Sequence, residues 1–194
     1  MTLEDFISAF HRPIVVSTIK DEPFPHAKQA AAVLICIYHT QNIPHILFTE
    51  RAQHLKHHAG QISFPGGKHE NTDRDLIETA YRETEEEVGL NKNNLKLIGQ
   101  LPAYRTVSGF AVSPIISYYT TELCIDRDLQ IDPNEVASVF GVPLSFAMNK
   151  KHYHEHMIMR DKGHFPVYFL PYKERMIWGA TAGMLALLQK HVNA

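Results

Sequence analysis

The stretch Arg82-Glu83-Thr84-Glu85-Glu86-Glu87 places four carboxylates within five residues. On a helix, like charges three and four residues apart repel by about 0.2–0.5 kcal/mol per pair, so local energetics do not favour such a run. At about 100° per residue, with Leu76 as zero, the apolar stripe Leu76, Ile77, Ala80, Tyr81, Thr84 and Val88 spans about 0° to 140°. Glu83 then falls near about −20°, Glu87 near about 20° and Glu86 near about −80°, while Glu78 and Glu85 take the far face. Carboxylates pressed toward the buried side must be paired or coordinate a metal. Arg82 is spaced to reach Glu86 or Glu78. The remaining all-oxygen set suits a hard divalent cation, Mg²⁺ or Mn²⁺, with Glu83, Glu86 and Glu87 as ligands. A solvated acidic face is the plain alternative, and the angular placement argues against it.

Just upstream lies Phe64-Pro65-Gly66-Gly67-Lys68. Two adjacent glycines after a strand-like segment permit a tight loop whose backbone approaches a ligand closely. A lone Gly-Gly is usually only a turn; followed by an acidic helix it becomes a place where phosphate or metal meets backbone groups.

At these residues the chain resembles the Nudix hydrolase family, whose signature is G-x5-E-x7-R-E-U-x-E-E-x-G-U, with U a bulky aliphatic residue. Arg82, Glu83, Glu86, Glu87, Gly89 and Leu90 match its second half, with Thr84 at the first U position. In the first half one extra residue is needed, so that Gly67 and Asp73 take the Gly and Glu places. This departure points to a subgroup. Leu47-Phe48-Thr49-Glu50-Arg51-Ala52, then Lys56, Gly60 and Phe64-Pro65-Gly66-Gly67, resembles a coenzyme A signature, L-L-T-x-R-S-x3-R-x3-G-x3-F-P-G-G. Phe48, Ala52 and Lys56 replace Leu, Ser and Arg, and lysine lacks the bidentate fork of arginine. The subgroup's longer spacing between the glycines and the acid is similar to Gly66–Asp73. Thr106–Phe110, Asn134-Glu135-Val136 and Ile177–Ala182 resemble later, weaker landmarks, so the likeness covers about residues 30–185.

The resemblance implies an α/β fold, a Nudix-type α-β-α sandwich with a mixed β-sheet. It implies cleavage of the diphosphate of coenzyme A or its derivatives to adenosine 3′,5′-bisphosphate and 4′-phosphopantetheine. Another nucleoside diphosphate derivative such as ADP-ribose, or nucleotide binding without cleavage, are the alternatives. Glu83, Glu86, Glu87 and the Gly67 carbonyl would hold Mg²⁺ or Mn²⁺, and Arg82 would orient the glutamates. Arg51, Lys56, Phe64, Gly66 and Gly67 would meet the substrate, although Arg51 and Lys56 also read as solubilising charges. The general base stays open between Glu83 and Glu135.

Positioning these residues requires a helix flanked by strands. Thr72 is the expected N-cap of a helix running to Val88, with Asp73 and Asp75 in its first turn and Gly89 as its stop. Residues 31–38, 45–51, 94–101, 112–119, 135–142, 153–159 and 165–172 read as strands, the first two as a hairpin turning near Gln41, Asn42 and Pro44. Residues 1–10 read as a short amphipathic helix, 1–28 as an N-terminal lead-in, 29–176 as the core and 177–191 as a C-terminal helix. Its apolar residues Ile177 to Leu188 are either core or the interface of a homodimer.

The 194 residues, 44% hydrophobic and 21% charged, suit a single domain, residues 1–194. A net charge of −2 provides no basic field for nucleic acid. No run of about 18 apolar residues exists to cross a membrane, and acids stand where a secretory signal would carry Lys or Arg. A cytoplasmic location is therefore expected. Cys36 and Cys124 both read as small core residues. Among thirteen histidines, His152, His154 and His156 would share one face of a strand, read as exposed rather than as a Zn²⁺ site. His54, His57 and His58 flank the coenzyme A signature, where one could touch phosphate.

Overall fold

The computed structural model describes residues 1–13, 27–55, 58–160 and 163–194. Most of the proline-containing lead-in, together with Lys56 and His57, lies outside these residues.

The centre is a pair of long parallel strands, β1 (Gln29–Thr40) and β7 (Phe110–Glu122), in register from Gln29↔Phe110 to Ile37↔Tyr118. The run Ala31–Tyr38 is apolar throughout because both faces are covered. Ala32, Leu34, Cys36 and Tyr38 face one core cluster, and Ala31, Ile35 and Ile37 face the other. Strand β2 (Ile43–Arg51) returns antiparallel to β1 through a two-residue turn. Gln41 and Asn42 both adopt positive φ (51° and 60°), as the tight hairpin turn demands.

The hairpin then forks. Only Ile37–Thr40 of β1 pair with β2, whereas Ala31–Val33 pair with β4 (Gly66–Lys68). Beside β4, β3 (Ile62–Ser63) pairs with the far end of β2 at Thr49 and Glu50. The segment 62–68 thus fills a wedge in the middle of the sheet, which places Gly66 and Gly67 between diverging strands. Strand β8 (Val136–Pro143) extends the sheet beyond β2, and β5 (Leu95–Gln100) and β6 (Tyr104–Arg105) extend it beyond β7. Both parallel and antiparallel pairs occur, giving the mixed sheet.

Helix α2 (Leu76–Val88) covers one face, burying Ala80 and Val88 with Leu34, Cys36 and Ile115. The other face carries α1 (Leu3–Phe10), the short α4 (Leu144–Ala147), α5 (Gly179–Val192) and a three-stranded antiparallel sheet of β9 (His154–Arg160), β10 (Gly163–Tyr172) and β11 (Arg175–Trp178). The result is an α-β-α sandwich. No described helix is long and apolar enough to cross a membrane.

Several expectations need correction. Helix α2 is capped by Asp75, whose side chain accepts from the Glu78 amide, not by Thr72. Asp73 closes a separate turn with Glu70 before the helix begins, so it is not a first-turn acid. The last helix starts at Gly179, because Arg175–Trp178 pair with β10 and Gly179 turns the chain at φ 66°. Ile177, Leu185 and Leu188 are buried in the core, which decides that apolar run in favour of core. Leu123 takes the inward position at the end of β7, leaving Cys124 exposed beside the short helix α3 (Ile125–Asp128), while Cys36 is buried. His152 sits outside β9, stacked on Phe146 at 3.8 Å, so the three histidines do not share a strand face.

Helix α2 ends at Gly89, whose φ of 69° is left-handed and whose amide donates to the Glu85 carbonyl. A Cβ there would also stand 3.0 Å from Gln130. Gly89→Ala is expected to cost about 1–2 kcal/mol, lowering Tm by about 3–6 °C in a chain of this size. Calorimetry showing an unchanged Tm would remove Gly89 from this role.

Candidate active site

Helix α2 presents its acids to the fork in the sheet. Glu87 is 5% exposed and accepts a hydrogen bond from the Gly66 amide. Its Oε2 atom is buried with no hydrogen-bond partner among the described residues. Glu83, one turn earlier, lies half-buried with its carboxyl against Gly67, where any Cβ would overlap it. At Gly66, φ is 149° and a Cβ would collide with the Ala32 carbonyl and the Val33 backbone. Both glycines are therefore required sterically: one lets the strand pass β1, the other lets a carboxylate reach the strand.

Arg82 organises the acids. Its Nε and Nη2 grip the two oxygens of Asp73 at 2.9 and 3.1 Å. Its Nη1 reaches Glu86 at 2.9 Å and Glu83 at 3.0 Å, and Nη2 also donates to the Lys68 carbonyl at 3.3 Å. Five contacts match the five N–H groups of a guanidinium, so the fork has no free donor with which to reorient. The Arg82 pairing with Asp73 holds that carboxyl far below the usual carboxylate range. Of the two partners the spacing offered Arg82, the structure selects Glu86; Glu78 pairs instead with Arg74 at 2.8 Å.

Glu135 joins from the other side. The segment before β8 crosses the C-terminal end of α2, where the Gln130 and Asp132 amides donate to the otherwise orphaned carbonyls of Val88 and Glu87 at 3.0 Å each. The Glu135 carbonyl accepts from the Ala52 amide at 2.9 Å, tying the segment to the end of β2. Glu135 thereby lies close enough to Glu83 and Glu87 to raise both, and Arg51, at the end of β2, acts on Glu87 in the opposite sense. Burial is the largest cause for each glutamate: Glu83 is raised, and Glu87 is pushed up to about 8.

The structure thus brings together Arg82, Glu83, Glu87, Glu135, Arg51, Gly66 and Gly67. Glu86 stands at the rim, its side chain 60% exposed and held by Arg82. Among the described residues no three His, Cys, Asp or Glu side chains are grouped so that they alone could hold a metal ion. The donors nonetheless fit a hard divalent cation: every one is oxygen, and Glu87 Oε2 is desolvated without a partner.

Phe64 needs correction as a substrate contact. It is 2% exposed and stacks on Phe48 at 4.9 Å, so its ring anchors the glycine segment in the core. Lys56 and His57 lie outside the described residues. His54 bonds the Asn134 carbonyl at 3.1 Å, and His58 bonds Gln61 at 2.7 Å; both are exposed. Sequence reasoning gave Asp73 its register but not its role as the anchor of Arg82, which spacing along a loop cannot reveal. The capping of α2 by residues 130–132 was likewise missed, since it joins segments far apart in the chain.

A model of the NUDIX domain matches residues 28–160. A Shigella flexneri serotype 5b protein named "Uncharacterized Nudix hydrolase NudL" is 35% identical over 193 residues, spanning 100% of this chain and 96% of its own length. Its namesake in Pectobacterium atrosepticum is also 35% identical over 193 residues, spanning 98% and 95%. Among solved structures, a binary complex of a C. elegans Ap4A hydrolase shares the fold, with a TM-score of 0.51 and 18% identity over 62% of this chain and 84% of that one. The chain belongs to the Nudix hydrolase family, enzymes that act on diphosphate linkages of nucleotide derivatives and use divalent metals such as Mg²⁺ or Mn²⁺.

Glu87 permits a pH test. Its folded-state pKa of about 8 lies above the ordinary value of 4.5. Between the two, the folded chain retains a proton that the unfolded chain has released, so stability falls as pH rises through this window and levels off above it. Metal-free thermal unfolding is expected to show Tm declining from about pH 5 to pH 8, and Glu87→Gln should flatten that decline. An unaltered slope in the variant would mean that Glu87 is not the titrating group.

Proposed function

We propose that this enzyme cleaves the diphosphate of coenzyme A or a derivative, releasing adenosine 3′,5′-bisphosphate and 4′-phosphopantetheine or its derivative. The observation that carries the reading is the folding of the described parts of the coenzyme A-like segment, residues 47–55 and 58–67, which include the end of β2, β3 and the start of β4. That path sets Arg51 beside Glu87 and delivers Gly66 to Glu87 and Gly67 to Glu83. A cationic side chain suited to phosphate and an acidic cluster then lie side by side, as a diphosphate substrate requires.

In this reading Glu83, Glu86, Glu87 and the Gly67 carbonyl hold Mg²⁺ or Mn²⁺. When bound, the cation supplies polarisation of a phosphoryl oxygen and acidification of water. Arg82 keeps Glu83 and Glu86 in place, and Arg51 and Lys56 receive the phosphates. Glu135 or Glu83 accepts a proton as the water oxygen forms a bond to one phosphorus and the bridging oxygen leaves with the other phosphate. Glu135, exposed and beside the buried pair, makes no ion pair among the described residues, whereas Glu83 is engaged by Arg82.

We read residues 1–194 as one domain on the same footing. Beyond the matched region, β10, β11 and α5 bury Leu170, Ile177 and Leu188 in the same cluster as Phe6 and Ile35. The free cysteines suit a reducing, cytoplasmic compartment.

The test is incubation with coenzyme A and Mg²⁺ or Mn²⁺, with ADP-ribose as comparator and products identified by mass spectrometry. Metal-dependent appearance of the two named products is expected; cleavage of ADP-ribose alone would retain the hydrolase and discard the coenzyme A reading. Glu87→Gln should fold and lose activity roughly a thousandfold, the equivalent of about 4 kcal/mol of barrier; near-native turnover would refute its role. Lys56→Ala should raise KM for coenzyme A more than for the 3′-dephospho form, and equal effects would exclude contact with the 3′-phosphate.

A further inference from the structure

Behind Arg82 lies a second line of polar groups. Asp73, whose side chain is 2% exposed, accepts four hydrogen bonds. Arg82 Nε supplies one to Oδ1; Arg82 Nη2, the Glu70 amide at 3.0 Å and the Thr79 hydroxyl at 2.8 Å supply three to Oδ2. Thr79 is fully buried, and its Oγ1 also lies 2.8 Å from His69 Nδ1.

The direction of this chain follows from counting protons. The ionised carboxylate of Asp73 only accepts, so the one hydroxyl proton of Thr79 is spent on it. The Asp75 carbonyl is also within reach, but at 3.2 Å it is a longer contact with a neutral acceptor. With its proton committed, Thr79 Oγ1 can only accept from His69, which must therefore carry its hydrogen on Nδ1. The His69 amide in turn donates to the Ala30 carbonyl at 3.0 Å, prolonging the pairing of β4 with β1. His69 belongs to the sheet side of the site and Thr79 to the helix side, so their bond joins the glycine strand to the glutamate helix.

We infer that His69 and Thr79 are positioning residues of this enzyme, a directed chain from His69 Nδ1–H through the Thr79 hydroxyl to Asp73 that fixes the Arg82 fork and, through it, Glu83 and Glu86. The role rests on the hydrolase reading of those glutamates. Neither residue touches the substrate. Removing the hydroxyl leaves Asp73 Oδ2 short of a donor in a buried position, so the carboxylate and its guanidinium lose their fixed orientation.

The tautomer can be read directly by long-range ¹H–¹⁵N spectroscopy of ¹⁵N-histidine-labelled, metal-free protein at about pH 8.5, where an ordinary imidazole is neutral. The His69 signals are assigned by their loss in His69→Ala. The wild type and Thr79→Ser are expected to show His69 protonated at Nδ1, and Thr79→Val to lose that preference. Calorimetric titration with Mn²⁺ should show binding weakened about tenfold in Thr79→Val and restored in Thr79→Ser. His69→Ala, at a side chain 32% exposed that can be truncated without a core cavity, should weaken Mn²⁺ binding, and His69→Asn should restore it by offering an amide N–H near the Nδ1 position. With coenzyme A, Thr79→Val should lower kcat with little change in KM. A wild-type His69 protonated at Nε2, or variants that bind Mn²⁺ as the wild type does, would overturn the proposal. Failure of the hydrolase reading is distinguishable, because it appears in the wild type itself as neither Mn²⁺ binding nor cleavage, and it would overturn the positioning role as well.

Discussion

The site depends on the pairing of Arg82 with Asp73. An arginine surrounded by glutamates could choose among several partners, and a choice that fluctuated would leave the acids unplaced. Asp73 removes the choice by presenting both carboxylate oxygens to Nε and Nη2 from a buried position. The other guanidinium edge then points at Glu83 and Glu86 by geometry alone. A part-buried ion pair of this kind is weak evidence for stability, since desolvation offsets much of its attraction. Its value here is orientation.

The sheet contributes a complementary constraint. Because β1 and β2 separate after a few pairs, the chain at 62–68 can enter between them and bring two glycines under the acidic helix. Neither glycine tolerates a side chain, for different reasons: backbone collision at Gly66 and overlap with a carboxylate at Gly67. Phe64, stacked on Phe48 deep in the core, keeps this insertion from sliding. What looks in sequence like a binding-loop aromatic is the anchor that holds the loop.

Glu87 shows what such a site costs. A carboxyl with a desolvated, unpartnered oxygen is unfavourable in the charged form, and among the described residues the Gly66 amide and the nearby charge of Arg51 offset this in part. Such local strain is expected where binding a cation is the purpose, because a group satisfied within the protein would have no affinity left for a ligand.

Much of this was legible in the residues themselves. Helical angle separated Glu83 and Glu87 from Glu85, since position along a helix sets direction. The apolar run 31–38 announced a strand covered on both faces, and Gly89 announced the helix end through its backbone freedom. Short-range physics governs all three, so one sequence suffices. The N-cap at Asp75, the outward turn of Cys124, the core placement of Phe64 and the role of Asp73 were decided only by the tertiary structure. Each depends on competition: Asp73 could have begun the helix, but the guanidinium of Arg82, nine residues on, was the stronger partner. The same holds for Glu135, whose place beside Glu83 and Glu87 follows from amides of Gln130 and Asp132 capping the far end of α2. Residue type and spacing determine which groups can do chemistry, whereas packing between distant segments determines which of them meet.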